Sequence, residues 1–225
     1  DFAPNPSFED ADEENPSRPA GWEPRRAPGS SSQFEWVTGI AHSGERSLMI
    51  ESTDEYRVPD RWRAGKDWSI GLKPGTEATL SAWIRTEGVE IDAHVQVYVM
   101  GPPKRGETRP QIIAQPTGGR VSGTSDWTEV SLTFTVPAGP SYVMPYVGLR
   151  GAGRAWFDDV RLEGIPAPPM PPTATYHAWL FEELDGYELT DRAGETVLQV
   201  PPEQDIARGE ATTPFYDATA RWDAP

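Results

Sequence analysis

Between Ala78 and Glu163 apolar residues recur at every second position in run after run, and Gly or Pro closes most of the runs. "ATLSAWIRT" sets Ala78, Leu80, Ala82 and Ile84 on one side; "HVQVYVM" does the same with Val95, Val97 and Val99. "EVSLTFTVP" alternates through Val130, Leu132, Phe134 and Val136, and "YVMPYVGLR" through Val143, Pro145, Val147 and Leu149. A period of two is the spacing of a strand buried on one face, and no window sustains the i, i+3, i+4, i+7 spacing of an amphipathic helix. With "RSLMIES" (46–52), "WSIGL" (68–72) and "AWFDDVRLE" (155–163) added, about seven to nine short strands are expected, the pattern of a sandwich or barrel. "KPGT" (73–76) and "PAGP" (137–140) supply the turns. The expected fold is all-β, an antiparallel β-sandwich.

Three segments are expected. Residues 1–164 form the sandwich, and 165–175, with five prolines in eleven residues, form an extended linker. Residues 176–225 are acidic and β-prone, with a hairpin over Tyr187–Val200 turning at Arg192-Ala193-Gly194. A lone hairpin is marginal in water, so this tail reads as a strand-donating arm or the start of a further domain. A length of 225 residues suits one sizeable core with an appendage.

The formal net charge is −15, and residues 165–225 carry eleven acids against Arg192, Arg208 and Arg221. That balance argues against phosphate-mediated nucleic-acid binding and against anionic membrane surfaces. No run of eighteen apolar residues spans a bilayer, so no membrane insertion is expected, and the start "DFAPNPSFED" lacks a signal-peptide pattern. A soluble chain with any export signal already removed is the expectation. Without cysteine there are no thiol nucleophiles, disulfides or thiolate metal sites.

"WFDDVRLEG" (156–164) places two adjacent carboxylates in a strand, where they are unfavourable by propensity and costly if buried unpaired. Alternation sets Asp158 with Val160 and Leu162 on the core side and Asp159 with Phe157 and Arg161 on the other, as a surface or edge group. Consecutive strand residues on opposite faces make a poor glycosidase pair. No Gly-x-Ser-x-Gly elbow, His-Glu-x-x-His helix or phosphate-cradling glycine loop occurs, and His42, His94 and His177 are scattered. The chain is expected not to be an enzyme.

"NPSFED" (5–10), "GW" (21–22), "HSGERSL" (42–48), "TLSAWIR" (79–85), "DWTEVSLTFTVP" (126–137) and "WFDDVRL" (156–162) follow in order and spacing. Over residues 2–164 they resemble the jelly-roll carbohydrate-binding modules attached to xylanases and laminarinases, within the galactose-binding-like group. The resemblance implies a structural calcium ion held by Glu9, Asp158 and the backbone carbonyl of Ser43, which suits an inward carboxylate and a hard cation. The other reading of Glu9 and Asp158 is a pair of rim carboxylates hydrogen-bonded to turns. The resemblance also implies a glycan cleft on the concave face of one sheet. Positions opposite the core parity offer Trp83 and Arg85, Gln96 and Tyr98, and Tyr146 and Arg150, an aromatic and polar set suited to sugar rings and hydroxyls. Trp62 and Trp68 flank a loop near the expected cleft.

Two functions follow as expectations. One is a secreted or cell-surface noncatalytic module that binds polysaccharide or cell-surface glycan. The other is a structural subunit of an extracellular filament or surface assembly, a homo-oligomer built through residues 165–225 by strand addition to a neighbour.

Overall fold

The computed structural model describes residues 2–53, 58–65, 70–103, 109–138, 142–167, 188–190 and 197–199. Trp68 and most of the stretch after residue 167 lie outside the described residues. The chain divides into two compact units, Asp1–Ala167 and Pro168–Pro225.

The described elements of the first unit are β1 (Trp22–Arg25), β2 (Gln33–Thr38), β3 (Arg46–Ser52), β4 (Asp60–Ala64), β5 (Glu77–Pro103), β6 (Pro110–Ala114), β7 (Thr117–Thr135), β8 (Tyr142–Arg150) and β9 (Gly153–Glu163). All the ladders are antiparallel, in the order β1-β4-β8-β5-β9-β3-β2, with β6 and β7 also on β5. In the second unit β10 (Glu188–Thr190) pairs antiparallel with β11 (Val197–Gln199).

β5 organises the sandwich. The sequence reads as two strands, 78–86 and 94–100, but the structure runs them together as one. Its first half pairs with β9, from Thr79↔Glu163 to Glu87↔Arg154, and its second half pairs with β8, from Asp92↔Arg150 to Met100↔Tyr142. Gly88, at φ +59°, and register shifts on the β7 side between Ile84 and Val95 let one strand serve both flanks of a single continuous sheet. The stretch between Gly101 and Gly123 contributes β6 and the beginning of β7.

Both flanks face one core. Leu80, Ala82, Ile84, Val95, Val97 and Val99 of β5 are buried, with Leu48 and Ile50 of β3, Val147 and Leu149 of β8, and Phe157 and Leu162 of β9. These are the parities expected from the alternation of β5 and β8. Each such Val, Leu, Ile or Phe side chain contributes about 1.5–3 kcal/mol by leaving water. Gly153 opens β9 at φ +125°, where a Cβ would stand 2.6 Å from the Val89 backbone; only glycine fits that approach of two chain segments.

Alternation fails at one place in β9. Phe157 faces Ile84 and Trp83 faces Asp158, yet Arg161 faces Ser81, so Asp159 and Val160 together oppose a single β5 residue. This is a β-bulge, and Asp159 sits in it at φ +47°, a left-handed conformation that Asp tolerates better than most residues. The expected division of the carboxylates is therefore corrected. Phe157 is a core residue, Asp158 shares the outer face with Trp83, and Asp159 is buried rather than a surface group.

Candidate functional site

Two clusters of chemistry-bearing residues stand out. The first surrounds the bulge, where a short loop, residues 40–45, closes over both carboxylates. Asp158 Oδ2 accepts the backbone N–H of His42 at 2.7 Å and of Ser43 at 3.0 Å, while its Oδ1 accepts the N–H of Asp159 at 2.7 Å. Asp159 Oδ1 accepts the Ser43 hydroxyl at 2.8 Å, and its Oδ2 lies 2.6 Å from His42 Nδ1. The imidazole in turn stacks on Trp83 at 3.7 Å between ring centroids. Burial pushes the Asp158 carboxyl up to about 6, against the pull of its three amide donors.

Glu9 holds the same loop from its other side. Its Oε1 accepts the N–H groups of Glu45 at 2.9 Å and Arg46 at 3.0 Å. Gly44 makes this approach feasible, since a Cβ there would fall 2.4 Å from that oxygen. Glu9, Ser43 and Asp158 are thus brought together around one loop. Their oxygens suit a hard cation in type. Among the described residues no three His, Asp or Glu side chains form a metal cluster, so main-chain carbonyls such as that of Ser43 would have to complete a cation's shell.

The second cluster is the outer face of the sheet made by β1, β4, β8 and the second half of β5. Register sets Gln96 beside Tyr146, Tyr98 beside Met144 and Asp92 beside Arg150. β4 then adds Arg63 next to Tyr146 and Arg61 next to Gly148. The rings of Tyr98 and Tyr146 lie 4.5 Å apart with a 39° tilt, and the Arg61 guanidinium stands 5.5 Å and 5.9 Å from their centroids. Burial pushes the Tyr146 phenol up, which keeps its hydroxyl protonated at neutral pH.

Beside these rings lie polar atoms without partners. Gln96 Nε2 donates to Thr117 Oγ1 at 2.8 Å, but the buried Gln96 Oε1, Arg61 Nε and Arg63 Nε have no hydrogen-bond partner. Native proteins rarely leave buried polar atoms unpaired, and such atoms next to aromatic faces are what a polyhydroxylated ligand would satisfy.

Below them Asp92, His94 and Arg150 form a locked triad. Arg150 donates to both Asp92 oxygens, through Nε at 3.0 Å and through Nη2, and His94 Nδ1 lies 2.8 Å from Asp92 Oδ1. Burial raises the Asp92 carboxyl, but hydrogen bonds and charge from His94 and Arg150 outweigh it and hold it well below the usual carboxylate range. Burial lowers His94, with Asp92 opposing only in part, so the imidazole is neutral at pH 7.

Of the sugar-contact candidates, Tyr98, Tyr146, Gln96 and Arg150 share this face. Trp83 and Arg85 lie on the other flank: Trp83 under His42, and Arg85 over the Trp156 ring at 5.5 Å. Trp62 is corrected to a core residue. It is buried, packs edge-on against Phe34 and donates its indole N–H to the Met49 carbonyl. Trp68 falls outside the described residues. Reading the sequence missed Arg61 and Arg63, whose signal is the alternation of "DRWRA" about an inward Trp62.

A family model described as a carbohydrate binding domain matches residues 2–153. The tRNA(Glu)-specific nuclease WapA of Bacillus subtilis subsp. natto (strain BEST195) is 29% identical over 126 residues, 54% of this chain and 5% of that protein. The tRNA nuclease WapA of Bacillus subtilis (strain 168) matches equally, so the chain spans only 5% of the length of these relatives. Among solved structures, the CBM22-2 xylan-binding domain of Paenibacillus barcinonensis Xyn10C is 18% identical, with a TM-score of 0.46 over 70% of this chain and 96% of that one. The CBM22-1 xylan-binding domain of the same protein is 14% identical, with a TM-score of 0.44 over 72% and 93% of the two chains.

Proposed function

The chain belongs to the carbohydrate-binding domain family, and on that premise we propose that it is a noncatalytic module that holds polysaccharide or cell-surface glycan across the face of β4, β8 and the second half of β5. One observation carries the choice of face: the tilted Tyr98–Tyr146 pair is bordered by buried, unpartnered Gln96 Oε1, Arg61 Nε and Arg63 Nε. The rings take the C–H side of a sugar, and the free donors and acceptor take its hydroxyls. Affinity electrophoresis of the 225-residue chain through a panel of plant and microbial polysaccharides tests this. Retardation by at least one polymer, lost in Tyr98→Ala/Tyr146→Ala at a temperature where that variant is still folded by circular dichroism, is the expected result. Retardation that survives the double substitution would move the site elsewhere.

No catalytic step is assigned. Asp158 and Asp159 both reach the same loop, so opposite faces no longer argue against a dyad. Their oxygens are instead occupied by backbone, serine and histidine donors. The stretch shared with WapA is a twentieth of that protein, and no nuclease activity is carried over from it.

The cation implied by the family is proposed as calcium with a structural role, held by Glu9, Asp158 and the Ser43 carbonyl. It would tie the N-terminal segment to β9 and supply no chemistry to a bound sugar. With a glycan as its ligand the chain is proposed to act outside the cell or on its surface, which detection in culture supernatant or surface labelling would check. The assembly reading keeps one specific support, the antiparallel pairing of β10 with β11 within the acidic tail. A chain ending at residue 167 that assembles with the same number of copies per particle as the full chain would remove it.

A further inference from the structure

The charge on the proposed sugar face runs against that of the whole molecule. The chain carries −15, yet the outward positions of β1, β4, β8, the second half of β5 and the start of β7 hold Arg25, Arg61, Arg63, Arg120 and Arg150 against only Glu23 and Asp92. Those two carboxylates are already used. Glu23 accepts from Arg25 at 2.8 Å and from Arg63 at 2.7 Å, and Asp92 is held by Arg150 and His94 with Arg120 at 3.9 Å. Arg61 has no ion pair among the described residues, its Nε is buried without a partner, and its guanidinium stands over both tyrosine rings, 5.5 Å and 5.9 Å from their centroids. A charge left in that state marks where a ligand's opposite charge belongs.

We propose that this face selects acidic glycans, polysaccharides whose sugar units carry carboxylates, with Arg61 as the residue that receives the carboxylate and Arg63 and Arg120 at its flanks. The inference rests on the sugar-binding reading of the same face. A guanidinium accepts a planar carboxylate through two parallel N–H bonds, which a hydroxyl group does not match. The surrounding negative charge of the chain repels a polyanion in general. Preference for one therefore has to arise locally, at short range, and to weaken with salt.

The test compares one polymer in two states: xylan bearing glucuronate side groups, and the same xylan after its carboxylates have been reduced to alcohols. Titration calorimetry on the full chain at low salt is expected to give about tenfold tighter binding to the acidic form, a preference that shrinks in 0.5 M salt as screening shortens to about 4 Å. Arg61→Gln should weaken binding to both forms, the acidic one more, so that the two affinities converge to within about twofold, and Arg61→Lys should keep part of the preference. Equal affinity for both forms, or a preference untouched by Arg61→Gln, would overturn acidic selectivity and leave the sugar reading intact. Binding to neither form, nor to any polymer of the wider panel, would remove the sugar reading and this inference together. Should Arg61→Gln fail to fold, the salt dependence of the wild-type preference decides.

Discussion

Trp83 and Asp158 face each other across the β5–β9 ladder, so the aspartate leaves the outer surface of its sheet and reaches zero exposure only because the His42–Ser43 segment closes over it. The loop, the bulge and the two carboxylates form one unit. Removing the acceptor should open it. Asp158→Ala leaves three amide donors without a partner and is expected to cost about 2–4 kcal/mol in urea unfolding, with Asp158→Asn losing less. A loss below about 1 kcal/mol would mean that the loop closes without the carboxylate.

Calcium, if it occupies the Glu9–Asp158 loop, makes stability depend on the free ion. Chelation is expected to lower the melting temperature by about 5–10 °C from a state with the ion a hundredfold above its Kd. Glu9→Gln should flatten that response. No shift on chelation, together with no metal by elemental analysis, would refute the assignment.

Gly153→Ala would place a methyl 2.6 Å from Val89 Cα and 2.7 Å from the Gly88 carbonyl, at a φ of +125°. Backbone on backbone has no flexible side chain to give way. A loss of about 2–4 kcal/mol is expected from strain and clash together, read from the midpoint of chemical denaturation.

Acid should weaken the Asp92–His94–Arg150 triad. The folded values of both His94 and Asp92 lie below their unfolded ones, so each contributes stability above its unfolded value that is lost as pH falls. The His94 contribution declines below about pH 6.5 and that of Asp92 below about pH 4. Asp158, raised to about 6, acts in the opposite sense over part of that range. The clean readout is therefore the difference in unfolding free energy between wild type and His94→Gln. It should shrink between pH 7 and pH 5; a flat difference would show that His94 does not titrate with folding.

Trp83 and Tyr98 lie on the same strand but on different flanks of the sheet, beside β9 and β8 respectively. Tyr98→Ala and Tyr146→Ala are each expected to weaken polysaccharide binding tenfold or more, about 1.4 kcal/mol or above, as expected of aromatic anchors at a binding centre. Trp83→Ala should leave affinity within about twofold, because its ring is spent on His42. Equal losses at all three positions would place the sugar elsewhere.

Alternation alone determined the all-β character of the first unit and the buried faces of β5 and β8, since side-chain direction in a regular strand depends only on position along the chain. It also placed Tyr98 and Gln96 opposite the core from one strand, and Tyr146 and Arg150 from another. Only the tertiary structure decided that those strands are neighbours, that β4 lies next to them with Arg61 and Arg63, and that Trp83 and Arg85 belong to the other flank. Strand adjacency is set by contacts far apart in sequence, which no local period encodes. The same holds for the two aspartates. A single extra residue at Asp159 reverses the parity of β9, and the partners that stabilise it, His42 and Ser43, are more than a hundred residues away.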